Sequence, residues 1–95
     1  MIFPGDAQRW VGHFIVLDWN ETIPETTHKI PANSGGRVLR VDETYLHLQP
    51  FDLITPSKEG DAVTRLGLKI EEELIPLVDI QTIYPAPLEG ITVDG

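Results

Sequence analysis

Apolar and polar residues alternate with a period of two along several short stretches of the chain, the pattern of strands that turn one face to a core. Over residues 11–19 (VGHFIVLDW), Ile15, Leu17 and Trp19 fall on one side and Phe14 and Val16 on the other. Both sides are apolar, which predicts a barrel strand with one face in the core and the other under a loop, a helix or a neighbouring subunit. Residues 37–41 (RVLRV) and 44–49 (TYLHLQ) flank Asp42-Glu43 and read as a hairpin. Neither turn residue is glycine, so a flanking residue is free to join the loop. Residues 73–77 (ELIPL) and 80–84 (IQTIY) predict two more short strands, separated at Val78-Asp79 by a break that fits a single 3₁₀ turn. Pro76 has no N–H, so its strand is at an edge or ends there, and Pro85 and Pro87 stop the last strand.

The stretches between are less regular. Residues 20–36 (NETIPETTHKIPANSGG) carry two prolines and a Ser-Gly-Gly, which predicts a long loop pinned by Ile23 and Ile30. Residues 50–61 predict a second loop, with Phe51 and Leu53 folding back on the barrel. Residues 62–70 (AVTRLGLKI) alternate as a strand would; the rival is a helix over residues 61–74, which Gly67 disfavours by about 1 kcal/mol. Near the start, Pro4-Gly5-Asp6 breaks the chain, and Asp6 can cap one helical turn over residues 7–9. Residues 86–95 are expected either to be disordered or to pair with a neighbour.

Composition narrows this picture. A chain of 95 residues, 41% of them hydrophobic, suits one domain over residues 1–95. Cysteine is absent, which excludes disulfides and thiolate metal sites. The net charge is −8, with four basic against seven acidic residues up to Ser57 and three against eight beyond it. Such a field repels phosphate backbones and anionic membranes. No apolar run approaches the roughly 18 residues that cross a bilayer, and Met-Ile-Phe-Pro-Gly-Asp is no secretory leader. The expectation is a soluble protein of the cytoplasm, or of a host cytoplasm if the source is a phage.

Candidate chemistry is sparse. His13, His28 and His47 are too far apart in sequence for a local metal motif. His13 and His47 fall in strands, facing solvent or a hydrogen-bond partner, and His28 falls in a loop. Asp18, Asp42, Asp52 and Asp79 could form a carboxylate site, but three of them end strands or begin turns, where Asp bonds the local backbone. No Ser/His/Asp set, phosphate-cradling glycine loop or metal motif stands at recognisable spacing, so neither an enzyme nor a cofactor is expected. Glu71-Glu72-Glu73 predicts a solvated run ahead of a strand that discourages edge pairing, or an acidic face for a basic partner.

The order of strand, loop, hairpin across an Asp, loop and two short strands across a one-turn break resembles SH3-like barrels, and the Sm-like proteins in particular. Gly36-Arg37-Val38-Leu39-Arg40-Val41-Asp42, with Leu46 and Leu48 beyond, is similar to their first motif. Ile75-Pro76-Leu77-Val78-Asp79-Ile80-Gln81-Thr82-Ile83-Tyr84-Pro85 is similar to the last two strands of bacterial Hfq-type and related Sm-like proteins. Residues 10–19 stand as the first strand, and the likeness covers less than half of the chain. PRC-type barrels end in a similar Ile-Pro-Leu string. Sm-like proteins read RNA with an Asn or aromatic residue after the first-motif Asp and with a basic pair in the second motif. Glu43, Thr44 and Tyr45 stand at the first place and Leu77 and Val78 at the second, so the basic pair is missing.

The resemblance implies a mainly β fold, a five-stranded SH3-like open barrel with long loops and at most a short N-terminal helical turn. It implies a non-enzymatic subunit whose partner is itself, in a homo-oligomeric ring of five to seven copies acting as scaffold or interaction module. The aliphatic density of Leu74, Ile75, Leu77, Val78, Ile80 and Ile83, with Tyr84, exceeds the need of one short strand pair and marks the candidate oligomer interface. RNA binding is the alternative; it would use Asp42, Tyr45, Arg37 and Arg40, and needs Arg9, Lys29, Arg37 and Arg40 to cluster at one mouth. A phage or viral accessory structural protein is the second alternative.

Overall fold

The computed structural model describes residues 1–54, 65–89 and 91–94. It is mainly β, as the alternation predicts. In chain order it has a short helix α1 (Pro4–Gln8), then β1 (Phe14–Thr22), β2 (Lys29–Val41), β3 (Tyr45–Ile54), β4 (Arg65–Leu68) and β5 (Glu73–Pro76). A 3₁₀ turn (Leu77–Asp79), β6 (Ile80–Pro85) and β7 (Thr92–Asp94) follow.

The strands run in the order β6-β1-β2-β3-β4-β7, with β5 also on β3. Strand β3 changes partner along its length. Tyr45 to Leu48 pair with Pro76 to Glu73 of β5, whereas Phe51 to Ile54 pair with Leu68 to Arg65 of β4. That order forces curvature. Strands β6 and β5 lie four spacings apart, about 19 Å in a flat sheet, yet three 3₁₀ residues rising about 2 Å each join them. The sheet therefore curls far enough to bring β5 and β6 to either side of the 3₁₀ turn without pairing with each other, and two register breaks assist. Leu39 is the extra residue between Val38↔Leu48 and Arg40↔His47. Gln81 is the extra residue between Asp18↔Thr82 and Trp19↔Ile80.

The core sits inside this curl: Ile15, Leu17 and Trp19 of β1, Val38 of β2, Leu46 and Leu48 of β3, and Ile75, Leu77 and Ile80 around the 3₁₀ turn. The alternating burial of β1 follows the predicted pattern. Its second face is covered too, since Phe14 stacks on Phe51 with ring centroids 5.9 Å apart. Phe51 thus folds back as expected. Helix α1 closes one end, with Ala7 buried and the Ile2 N–H donating to the Leu77 carbonyl at 3.1 Å. Gly12, at φ +85°, turns the chain from α1 into β1 while its N–H bonds the Val38 carbonyl.

Several sequence expectations change. The helix opens at Pro4, where the missing N–H costs nothing, and Asp6 lies inside it rather than capping it. Residues 20–36 are not a loop: β1 runs on to Thr22, β2 starts at Lys29, and only the tip between them turns. Phe51 to Ile54 are strand, not loop. Over Arg65–Leu68 the strand holds against the rival helix, while residues 55–64 lie outside the described residues. Residues 92–94 pair, but with β4 of the same chain and in parallel. The 3₁₀ break and the Asp42-Glu43 hairpin stand as predicted, with Thr44 joining the loop.

Candidate functional site: open strand edges and a histidine bridge

Two features stand out from the scaffold. The first is the pair of strands on either side of the 3₁₀ turn. Strand β6 is the end of the sheet path beside β1, and β5 pairs with β3 only, so among the described residues each presents one unpaired edge. Unpaired edges offer a row of N–H and C=O groups to another strand. Of the predicted interface residues, Ile75, Leu77 and Ile80 are spent in the chain's own core, and Ile83 packs partly against it. Leu74 is 49% exposed, Val78 65% and Tyr84 37%. These three remain available, and Ile70 and Phe3 add further exposed apolar surface.

The second feature joins charged groups from three segments. Asp42 Oδ1 accepts the backbone N–H groups of Thr44 and Tyr45 at 2.8 and 2.7 Å, which builds the hairpin loop. Its other oxygen, Oδ2, lies 2.7 Å from His47 Nε2. On the far side of the ring, Nδ1 lies 2.5 Å from Glu72 Oε1, and that same oxygen forms an ion pair with Arg40 Nη2 at 2.8 Å. The imidazole itself is buried. Glu72 and Glu73 therefore are not simply solvated, because Glu73 also accepts from Ser34 Oγ at 3.3 Å. His13 and His28, by contrast, are exposed outside the strands.

The His47 hydrogen bond, with the two backbone N–H groups, holds the Asp42 carboxyl at about 2, below its ordinary 3.8. A depressed carboxyl stabilises the fold above the unfolded value, and that contribution disappears as pH falls from about 4 towards 2. Urea midpoints of the natural chain are therefore expected to drop over this interval by an increment that Asp42→Asn lacks. Parallel curves for the two proteins would remove the role assigned to Asp42.

No family model matches the chain, and no curated protein or solved structure matches it either.

The RNA-binding candidates do not converge. Arg40 is bound to Glu72, Arg37 donates to Gln49 at 3.0 Å, Arg9 lies over the Trp10 ring, and Lys29 pairs with the buried Asp79. Lys29 and Arg40 are at opposite ends of β2, about 35 Å of extended chain apart. Tyr45 is exposed at the hairpin, where its backbone N–H donates to Asp42, an anion. Among the described residues no grouping of three or more His, Asp or Glu side chains is disposed to hold a metal ion, and no cavity opens. No described helix is long and apolar enough to cross a membrane.

Proposed function

We propose that this chain is a non-enzymatic subunit of the Sm-like kind that assembles with copies of itself, the β5 edge of one copy pairing with the β6 edge of the next. The observation that supports it is the pair of unpaired edges, joined by the 3₁₀ turn and flanked by exposed Leu74, Val78 and Tyr84. Because the two edges belong to different strands, their contact is heterologous, and repeated head to tail it gives a ring when the rotation between copies closes and an open filament when it does not. Closure removes every such edge at once. Pro76 limits the ladder on β5, since it accepts but does not donate. Apolar contact by Leu74 and Val78 then supplies much of the adhesion. Such a ring acts as a scaffold, presenting each copy's hairpin loop in a fixed circle.

Light scattering at micromolar concentration tests this. A mass of five to seven copies is the expected result, and a clean monomer would overturn the proposal.

A further inference from the structure

His47 is 7% exposed, and both of its ring nitrogens face a carboxylate oxygen, Glu72 Oε1 at 2.5 Å and Asp42 Oδ2 at 2.7 Å. An ionised carboxylate only accepts, so each contact is a hydrogen bond only when that nitrogen carries a proton. Both do so in the imidazolium alone. The neutral ring satisfies one carboxylate and points a nitrogen lone pair at the other, two acceptors held closer than van der Waals contact. Asp42, held at about 2 by its own bonds, stays ionised throughout the range in which histidines titrate. Arg40, the cross-strand neighbour of His47 on β2, pairs with the same Glu72 oxygen. The neighbour on β5 is Leu74, which is apolar, and Tyr45 and Gln49 share the face along β3 itself.

The two carboxylates come from separate parts of the chain. Asp42 opens the β2–β3 loop, while Glu72 lies in the segment that leads from β4 into β5, one residue before the strand begins. We propose that His47 is a proton-dependent latch: as imidazolium it ties the β2–β3 loop to the segment leading into β5, and as neutral imidazole it lets one of them go. Strand β5 has four residues and a proline at its end, and besides the latch its start is held by the pairing of Glu73 with Leu48, the Ser34 Oγ–Glu73 hydrogen bond and the Arg40–Glu72 ion pair. Where β5 is also the assembly edge, the latch makes assembly favour lower pH; this extension rests on the assembly proposed above, and the latch itself does not.

Backbone amide hydrogen exchange at Glu73 and Ile75, the β5 residues whose N–H groups face β3, corrected for the intrinsic rate, reads the latch directly. In the natural chain, protection is expected to fall about tenfold or more as pH rises from about 5 to 8.5, the loss of a charge-assisted hydrogen bond. Glu72→Gln supplies a side-chain amide that can donate to an unprotonated Nδ1, so its protection is expected to persist at the upper pH. In His47→Gln it is expected to be independent of pH. Flat protection in the natural chain, or a fall in Glu72→Gln parallel to it, overturns the latch. Light scattering at the same two pH values separates the extension. A chain monomeric at both overturns the assembly and leaves exchange to decide the latch, whereas equal oligomers at both, with pH-dependent exchange, overturn only the coupling.

Discussion

Gly36→Ala is expected to cost more than about 3 kcal/mol, at the upper end of what overpacking does. In a domain of this size that is a fall in Tm of more than about 12 °C. Gly36 pairs with Pro50 at the point where β3 leaves β2 for β4. A methyl group there would press into the carbonyl oxygen of Gln49, with the Gln49 carbonyl carbon at 2.8 Å and Pro50 Cα at 2.9 Å. These are backbone atoms, so no rotamer change relieves the clash, and the strands must separate. Gly35→Ala is the control. Its methyl group would meet the edge of the Phe51 ring at 3.2 Å and the Ile15 carbonyl oxygen at 3.4 Å. A ring edge can pivot, and a cost of about 1 kcal/mol is expected. Thermal melts of the two variants side by side decide the matter, and equal losses would contradict the close backbone approach.

The second large effect separates folding from assembly within one short segment. Ile75 is fully buried and sits opposite Leu46, also fully buried, across β5 and β3. Ile75→Ala removes that contact and leaves a cavity, at an expected cost of about 2–5 kcal/mol read from urea unfolding. Val78, three residues on, points outward from the 3₁₀ turn. Val78→Glu is expected to change the unfolding free energy of the monomer by no more than about 0.5 kcal/mol. It places a buried charge in the proposed contact, however, and is expected to bring the scattering mass down to one chain. A Val78→Glu protein that keeps the natural oligomeric mass would take that contact away from the 3₁₀ turn.

The strands that line the core were legible because burial on one face imposes a period of two, which residues 14–19 and 45–49 keep, while in residues 37–41 the bulge at Leu39 interrupts it. The 3₁₀ turn was legible for a different reason: Pro76 stops one strand, and a strand resumes four residues later. Residues 20–36 misled because prolines, glycines and polar groups signal loops when the strand is assumed to be central. Here they belong to a two-stranded ribbon whose residues are mostly exposed, so polarity is no bar. Pro31 lies in the part of β2 that β3 does not reach, where a missing N–H breaks no ladder among the described residues. Gly35 and Gly36 are there for close approach rather than for a turn. Pro50 sits where β3 exchanges partners, which is why a strand continues through it.

The site was less legible than the fold. The apolar surplus over residues 74–84 was visible, but which residues the chain keeps for its own core depended on how far the sheet curls. The sequence places His47 in a strand, facing solvent or a hydrogen-bond partner. Its alignment with Asp42 is local, five residues away, and an Asp that opens a hairpin ahead of a strand histidine was the one available signal. Glu72 is brought to the other side of the ring only by the β3–β5 pairing, which no short-range pattern encodes.

Strand β1 is flanked by two partners that reach it on very different terms. Strand β2 follows it across a short turn, whereas β6 pairs Tyr84 with Val16 from the far part of the chain. The local hairpins β1–β2 and β2–β3 can zip early, but the loop-closure entropy of bringing β6 home has to be overcome before that pairing returns any energy. Refolding should therefore be slow for so small a protein, in the millisecond-to-second range of non-local β topologies. During that interval the outer margin of β1 is bare, and a crowded solution of half-made molecules can trade strands through it.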